Sequence, residues 1–265
     1  LERYKARGWT VIAATELEFN LVDASGETIR PPKNPVTGRV LDQQSVLSVA
    51  ELDAFDAFFT DLYEGAEAMG IPAQAAICEA GLGQFEINLN HQDALTAADD
   101  AWLFKTLVRG LARKHGFAAS FMAKPYEDWP GNGMHMHFSV VDKDGVNLFD
   151  DGTREGSDLL KHAVAGCLQA MCGTTLLLAP HWNSYDRFAP GAHAPTGIAW
   201  AYENRTAALR IPSGSVKARR IDHRVAGGDI NPYLMMAGVL GAAMNGIEDG
   251  LTPPAPITGN AYELD

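Results

Sequence analysis

Three short segments place ionisable side chains two residues apart in apolar surroundings. The pairs are Glu16 and Glu18, His135 and His137, and Asp222 and Arg224. Because side chains alternate across a β-strand, each pair projects from one face while its apolar neighbours occupy the other. Two carboxylates at this spacing lie about 6.6 Å apart and repel by roughly 2.5 kcal/mol at an effective dielectric near 20. A half-buried face of this kind needs a cation, so the pairs predict a sheet whose polar face carries metal ions.

A further acidic segment, CEAGLGQFEINLN, carries Glu79 and Glu86 on either side of Gly81 and Gly83. A tight turn or bulge at the glycines can bring both carboxylates to one site. Any one of these glutamates alone is better interpreted as a solvated surface residue. Four glutamates together with His135 on neighbouring strands favour metal binding instead. A donor set rich in oxygen, with few histidines and no cysteine, favours Mg²⁺ or Mn²⁺ over zinc.

Basic side chains cluster in a short C-terminal stretch, although the chain as a whole carries a formal net charge of −12. Guanidinium groups bind phosphate and carboxylate oxygens in a bidentate manner, which suits a nucleotide and an acidic substrate. Some of these residues must be ordinary surface charges, Arg219 above all, whereas strand alternation directs Arg224 inward with Asp222. The cluster comprises Arg187, Arg205, Arg210, Lys217, Arg219, Arg220 and Arg224.

The sequence lacks the short motifs of several other enzyme classes. It contains no GxxxxGK[ST] sequence and no GxGxxG opening a helix, so nucleotide binding through a glycine-rich cradle is not predicted. A GxSxG nucleophile elbow and an HExxH zinc motif are also missing. Metal-binding carboxylates with nearby arginines instead indicate phosphoryl transfer, in which positioning and charge neutralisation supply most of the catalysis.

Composition narrows the class of protein further. The 265 residues, 46% hydrophobic and 20% charged, suit one large domain or two small ones. The acidic net charge disfavours nucleic acid and anionic membrane surfaces as partners, and no apolar run approaches the roughly 20 residues that span a bilayer. Three cysteines without CxxC spacing predict reduced thiols in a cytoplasmic protein. Because Leu1 starts in what resembles the tail of a helix, we expect sequence upstream of it.

Adjacent amphipathic strands alternate irregularly with helices. A helix is predicted from the Ser48 cap to Gly70, a second over 96–115, a third after Ser157 and a fourth after Asn231. Strands that do not follow strict βαβ order favour an α+β domain, an antiparallel sheet with helices on one side and polar ligands on one face. The predicted strands are 10–22, 73–78, 83–90, 117–123, 134–142, 206–212 and 219–225.

Seven motifs, in order along the chain, identify a family resemblance. They are ELEF, EAGLGQFEI, FMAKP, GNGMHMHFS, NSYDRFAPG, ENRTAALRIP and KARRIDHRV followed by NPYL. Over nearly its whole length the chain resembles the catalytic domain of glutamine synthetase. The resemblance implies a half-barrel of antiparallel strands that forms a funnel, entered by ATP at one end and glutamate at the other. It also implies that residues 1–265 are this catalytic domain without the N-terminal β-grasp domain. In the family that domain closes the active site of a neighbouring subunit, so we expect a ring-shaped homo-oligomer for the full-length protein.

The resemblance implies a role for each candidate residue. Glu18, Glu79 and Glu86 match the first metal site, and Glu16, His135 and Asp222 match the second. His137, Ser139, Arg210 and Lys217 match contacts to the nucleotide phosphates. Arg187, Arg224 and the loop at Gly131 match the glutamate-binding set, and Arg205 matches the arginine that stabilises the γ-phosphoryl group. The implied reaction phosphorylates the γ-carboxylate of glutamate with ATP, after which a nitrogen nucleophile displaces phosphate and forms an amide.

Two positions depart from the family pattern. Ammonia-using members carry a glutamate where the PGAHAP loop of this chain has His193, and relatives that use larger amines also lack it. A neutral histidine accepts a proton but supplies no charge to attract ammonium, so we predict a γ-glutamyl–amine ligase acting on a polyamine or small primary amine. His193 is either catalytic or a solvated loop residue. Asp222 is about 1.5 Å shorter than the usual glutamate, so either water bridges it to the second metal or that metal binds weakly.

Three other functions compete with this prediction. The first is a glutamine synthetase that uses ammonia. The second is a catalytically lapsed sensor of glutamate or amine, which need not retain Arg205, the residue matched to the transferred phosphoryl group. The third is another metal-dependent phosphotransferase, such as a guanidino kinase, against which the NSYDRF motif weighs.

Overall fold

An open sheet of eight strands dominates the computed structural model, which describes residues 1–23, 25–26 and 28–264. The strands are β1 (Thr10–Asp23), β2 (Ala73–Cys78), β3 (Gln84–Asp93), β4 (Phe117–Ser120), β5 (Met134–Val141), β6 (Trp200–Tyr202), β7 (Leu209–Ile211) and β8 (Ile221–His223). They follow the order β2-β3-β1-β5-β8-β7-β6, and β4 pairs with the last residues of β1. The long central strand β1 thus has partners along both edges.

The strand pairs are antiparallel with one exception among the described residues. β6 runs parallel to β7, with Trp200 opposite Leu209. The predicted α+β class, with a mostly antiparallel sheet and flanking helices, is confirmed, whereas β6 itself was not predicted. A strand of three residues offers too few alternations to be recognised from its pattern.

Six α-helices of the described residues flank the sheet. They are α1 (Glu2–Lys5), α2 (Val49–Ala54), α3 (Asp56–Met69), α4 (Ala94–Lys114), α5 (Asp158–Leu178) and α6 (Pro232–Asp249). The predicted caps form, because Ser48, Ser157 and Asn231 each accept a backbone N–H of the first turn. Gly70 ends α3 in the left-handed conformation. Among these helices, none is both long and apolar enough to cross a membrane.

The helix predicted between Ser48 and Gly70 is in fact two helices. The break lies at Phe55, whose φ of −102° and ψ of 17° leave the helical region. The Phe55 ring is buried, packs edge-on against Phe85 and also contacts the ring of Phe117. Side-chain packing at the junction therefore coincides with the interruption that the apolar periodicity did not reveal.

One face of the sheet forms the hydrophobic core. Phe19 of β1 is fully buried and contacts the rings of Phe58, Phe85 and Phe121. Each such side chain contributes about 1.5–3 kcal/mol by leaving water. Because a slip of one residue would turn every side chain to the other face, this packing fixes the strand register. The same register determines which side chains meet on the opposite, polar face.

Candidate active site

The register of five strands brings the sequence-predicted side chains together on the polar face. Glu86 of β3 lies opposite Glu18 of β1, Glu16 opposite His135 of β5, and Asp222 of β8 between His137 and Arg210. The sequence predicts that the two members of each pair share one face of their strand. In the structure, members of different pairs also lie directly opposite each other on neighbouring strands.

A polar cavity opens over this row of side chains. The predicted residues that line it are Glu16, Glu18, Glu79, Glu86, Gly131, His135, Arg187, His193, Arg205 and Arg224. His137, Asp222 and Arg210 continue the same row beyond the cavity lining. Ser139 lies two residues further along β5, and Lys217 is exposed in the short 3₁₀-helix Val216–Ala218. The structure thus gathers most of the predicted site at one place and leaves Ser139 and Lys217 at its margin.

The acidic end of the cavity has an excess of negative charge. Burial, together with the charge of Glu18, raises the pKa of Glu79 from its ordinary 4.5 to about 7. The same two causes raise the pKa of Glu86. Carboxylates that resist ionisation in this way favour a nearby cation, and oxygen donors suit a hard divalent ion. Within the described residues, however, no three acidic, histidine or cysteine side chains already form a group that could hold a metal ion.

Glu16 orients both histidines of β5. Its carboxylate oxygens lie 2.7 Å from His135 Nδ1 and 2.7 Å from His137 Nε2. Arg220 Nε donates to His137 Nδ1 at 3.1 Å; since arginine has no acceptor, this nitrogen carries the lone pair and Nε2 the proton. Burial alone would raise the pKa of Glu16, but the hydrogen bonds from both histidines hold it well below its usual range.

His135 presents a free nitrogen as a consequence. Nδ1 lies 2.7 Å from Glu16 but 3.5 Å from Arg224 Nη1, so it donates to the closer Glu16 carboxylate. The buried Nε2 then keeps a lone pair and has no hydrogen-bond partner among the described residues. A carboxylate that fixes one imidazole nitrogen while the other remains available is the usual arrangement behind a metal-ligating histidine. The free nitrogen of His135 therefore fits a divalent cation, with Glu16 positioned to orient the ring.

Asp222 is fully buried and serves as an anchor for two arginines. Its Oδ2 accepts a hydrogen bond from Arg224 at 3.1 Å and lies 2.9 Å from Arg210 Nε, while Oδ1 has no hydrogen-bond partner in the described part of the chain. Burial opposes ionisation, yet electrostatic interactions with His137, His135 and Arg224 lower the pKa of Asp222. One oxygen is thus committed to guanidinium groups and the other remains free.

Arg187 is a buried guanidinium aimed at the cavity. It donates to the carbonyl oxygens of Val225 at 2.9 Å and Arg224 at 3.4 Å, and burial lowers its pKa. Gly133 makes room for it, because a Cβ there would lie 2.7 Å from Arg187 and 2.9 Å from His135 Nε2. Among the described residues, its guanidinium donates to carbonyl oxygens alone, and a buried cation of this kind is suited to an anionic ligand.

The two predicted catalytic residues lie in exposed loops at the cavity wall. Arg205 lies in the turn between β6 and β7, and its carbonyl accepts a hydrogen bond from Arg224. His193 has a φ of +59°, a left-handed conformation that is uncommon for residues other than glycine. Both side chains therefore reach the cavity from connecting segments and not from the sheet.

Sequence reasoning missed Gln84, which lines the cavity and links two of its loops. Its Oε1 accepts the N–H of Gly81 at 2.7 Å, and its Nε2 donates to the carbonyl of Gly131 at 2.9 Å. The signal was present, because Gln84 stands two residues before Glu86 on β3, the same spacing that identified the ionisable pairs. Arg220, which fixes the His137 tautomer, was noted only as a member of the basic cluster.

The chain is similar in sequence to several known proteins. The family model described as glutamine synthetase, catalytic domain, matches residues 1–265. The chain is 43% identical over 268 residues to gamma-glutamylputrescine synthetase of Escherichia coli, covering all of this chain and 57% of that protein. It is 37% identical over 273 residues to gamma-glutamylethanolamide synthetase of Streptomyces coelicolor, again covering all of this chain and 57% of that protein.

Two further similarities concern a glutamine synthetase and a solved structure. Glutamine synthetase of Thermus thermophilus is 37% identical over 267 residues, which is 100% of this chain and 58% of that protein. A solved complex of GmaS with ADP superimposes with a TM-score of 0.88 at 30% identity, covering 99% of this chain and 60% of the other. The chain therefore spans somewhat more than half the length of the relatives that it matches.

Proposed function

The chain belongs to the glutamine synthetase family, and we propose that the protein containing it joins the γ-carboxyl group of glutamate to an amine in a reaction driven by ATP. The observation that carries this proposal is the convergence of acidic side chains and arginines on one cavity. Glu18, Glu79 and Glu86 line its acidic end, and Arg187, Arg205 and Arg224 line the same cavity. Negative and positive groups brought together in this way suit a phosphorylated acidic substrate.

We assign glutamate to the basic side of the cavity. Arg187 and Arg224 are buried guanidinium groups, and the Gly131 loop adjoins them. They would bind the substrate carboxylate, since a buried cation gains most from an ionised partner. Arg205 would stabilise charge on the transferred phosphoryl group. His137, Ser139, Arg210 and Lys217 would contact the nucleotide phosphates, with Lys217 approaching from its exposed 3₁₀-helix.

Two divalent cations, Mg²⁺ or Mn²⁺, would complete the acidic side. Glu18, Glu79 and Glu86 would hold the first, and Glu16, His135 and the free Oδ1 of Asp222 would hold the second. When bound, such ions neutralise phosphoryl charge and orient the reacting groups. The free Nε2 of His135 and the raised pKa of Glu79 support this assignment.

We propose a larger amine, not ammonia, as the acceptor. The loop that carries His193 contributes no carboxylate to the cavity lining, so this loop supplies no opposite charge to a small ammonium ion. An amine with a carbon chain gains additional binding from its apolar part. His193 would accept the proton that the amine loses on attack, since an imidazole is suited to proton transfer near neutral pH. Two relatives are named for putrescine and ethanolamine products, whereas the Thermus relative is named for glutamine.

The test is glutamate-dependent ADP formation by the complete protein in the presence of Mg²⁺, measured with putrescine, ethanolamine and ammonium in parallel. We expect the two amines to give the higher kcat/KM. A clear preference for ammonium would identify a glutamine synthetase proper. ADP formation that is absent with every acceptor, while glutamate still binds in calorimetry, would instead favour the sensor. We further propose a cytoplasmic homo-oligomeric ring, which sedimentation analysis of the complete protein would test.

A further inference from the structure

Lys105 is a buried cation on the opposite side of the sheet from the proposed chemistry. It lies in α4 with 5% of its surface exposed. Its ammonium donates to the carbonyl oxygens of Gly228 at 2.7 Å and Ile230 at 2.9 Å, and lies 5.3 Å from the centre of the Phe121 ring. Burial lowers the pKa of Lys105 to about 8. Burying a charged ammonium group is unfavourable, and the two carbonyl groups compensate for it by accepting its hydrogen bonds. We interpret these hydrogen bonds as holding the two carbonyl groups in place.

The two carbonyls belong to the residues on either side of Asp229. The Asp229 carboxylate is largely buried, and its Oδ2 accepts a hydrogen bond from Ser184 Oγ at 2.5 Å and lies 2.9 Å from His181 Nδ1. Fixing the peptide groups before and after one residue fixes the direction of its side chain. Lys105 therefore determines where the Asp229 carboxylate points.

Asp229 in turn anchors the helix that carries Arg187. His181 and Ser184 form the capping pair of the 3₁₀-helix Trp182–Arg187, in which the His181 N–H donates to Ser184 Oγ at 3.0 Å. At about 2 Å rise per residue, a 3₁₀-helix transmits a shift of its first turn directly to its last residue. That last residue is Arg187, whose guanidinium donates to Val225.

The turn formed by residues 227–230 also contacts the Gly131 loop, which we assign to the glutamate site. The Gly228 N–H donates to the carbonyl of Asn132 at 2.8 Å, and Gly227 donates to Leu178 at the end of α5. A side chain at Gly228 would collide with the carbonyl of Phe121 at 2.9 Å, so the turn is closely packed. Residues 227–230 therefore join α4, α5, the Gly131 loop and the Arg187 helix at one point.

We propose that Lys105 is a positioning residue for the glutamate site, which acts through Asp229 to set the place of Arg187. The inference rests on the proposed role of Arg187 in binding the substrate carboxylate. A merely structural lysine would change stability or impair all substrates alike. A positioning lysine would affect glutamate selectively.

The experiment compares Lys105→Met, Lys105→Arg and Asp229→Asn in the complete protein, with Arg109→Met as the matched control. Arg109 lies one helical turn beyond Lys105 and over the same Phe121 ring at 4.8 Å, but donates to no carbonyl of the 227–230 turn in the described part of the chain. We expect Lys105→Met to raise the KM for glutamate at least about tenfold while the KM for ATP changes less than about twofold. Lys105→Arg should recover most of the loss, Asp229→Asn should shift glutamate KM in the same direction, and Arg109→Met should leave both KM values unchanged.

Equal increases in both KM values, or an unchanged glutamate KM in Lys105→Met and Asp229→Asn, would overturn the proposal. If Lys105→Met does not fold, Asp229→Asn alone decides by the same criterion. Hydrogen exchange of the amides of residues 181–188 gives a readout that needs no activity. If the unsubstituted protein shows no glutamate-dependent ADP formation, the proposed function fails. Faster exchange in Asp229→Asn than in Arg109→Met then still supports positioning of Arg187, and equal exchange refutes it.

Discussion

Glu18 on β1 and Glu86 on β3 lie directly opposite each other across an antiparallel pair. Like charges at this position repel, and both belong to the buried end of the cavity where burial and Glu18 raise the pKa of Glu86. The protein without divalent ions therefore holds a destabilising carboxylate pair, which a cation would turn into a stabilising one.

Stability should depend on pH with a sign set by these carboxylates. Glu79 has a pKa of about 7 in the folded protein against 4.5 ordinarily, so its protonated form adds stability below pH 4.5 that is lost as the pH rises through 7. Without divalent ions, we expect Tm to fall between pH 5 and pH 8. Mn²⁺ should raise Tm more at pH 8 than at pH 6, because it binds the deprotonated groups. Differential scanning fluorimetry measures both trends.

Glu86→Gln provides the control for this prediction. Folding raises the pKa of Glu86, which lowers stability at pH 8, so the neutral glutamine should raise Tm at pH 8 without metal and reduce the shift that Mn²⁺ produces. A variant that loses stability and keeps the full Mn²⁺ shift would show that Glu86 is not part of a cation site.

The second metal position should bind Mn²⁺ more weakly than the first. Asp222 has one oxygen committed to Arg210 and Arg224, which leaves only Oδ1 for a cation. Isothermal titration with Mn²⁺ should show two steps of clearly different affinity. Two sites of similar affinity would contradict this expectation.

Removing the Asp222 charge should destabilise the fold strongly. Asp222→Asn leaves two buried guanidinium groups without their counter-ion, for which we expect a loss of about 3–5 kcal/mol in the free energy of unfolding. Asp61, which pairs with Lys114 and His115 on the surface, is the matched control, and Asp61→Asn should cost far less. Urea unfolding of the two variants compares them, and similar losses would argue against the anchoring role of Asp222.

A methyl group at Gly133 should impair function more than folding. Its Cβ would lie 2.7 Å from the Arg187 guanidinium and 2.9 Å from His135 Nε2, so both groups must move. We expect Gly133→Ala to lower kcat/KM for glutamate by about a hundredfold in the ADP assay. The control is Gly110→Ala in α4, where a Cβ meets nothing within 4 Å and helix propensity should add about 0.5–1 kcal/mol of stability. Full activity of Gly133→Ala would show that the close approach is unimportant.

Substitutions at His193 should change which acceptor is used. His193→Glu places a carboxylate in the cavity wall, and we expect the ratio of kcat/KM for ammonium to that for putrescine to rise about tenfold, which corresponds to about 1.4 kcal/mol. His193→Gly keeps the left-handed backbone conformation and removes only the side chain. It should slow the reaction with amines if the imidazole accepts a proton. Equal rates for His193→Gly and the unsubstituted protein would identify a solvated loop residue.

The alternation of polar and apolar residues along each segment predicts the polar face of the sheet, but not which distant segments pair with each other. The spacing of Glu16 with Glu18 and of His135 with His137 is sufficient to predict that each pair shares a face, because each pair lies on a single strand whose faces differ in polarity. That Asp222 would also meet Arg210 depends on the pairing of β7 with β8, which no local pattern specifies. The contact of Lys105 with Gly228 joins residues 123 positions apart. Such contacts are set by the packing of α4 on the sheet, which single-strand periodicity does not encode.

Phe85 and Glu86 are neighbours on β3, one in the core and one in the cavity. A shift of β3 by one residue against β1 would exchange them, so that an ionised carboxylate would enter a cluster of aromatic rings and a phenylalanine would face solvent and charge. Two effects raise the free energy of that shifted state: the loss of aromatic packing and the burial of an unpaired charge. Binding competence and correct folding are therefore linked at this strand. When β3 pairs with β1 in the native register, the chain therefore also excludes the shifted register, in which the ligand site would be missing.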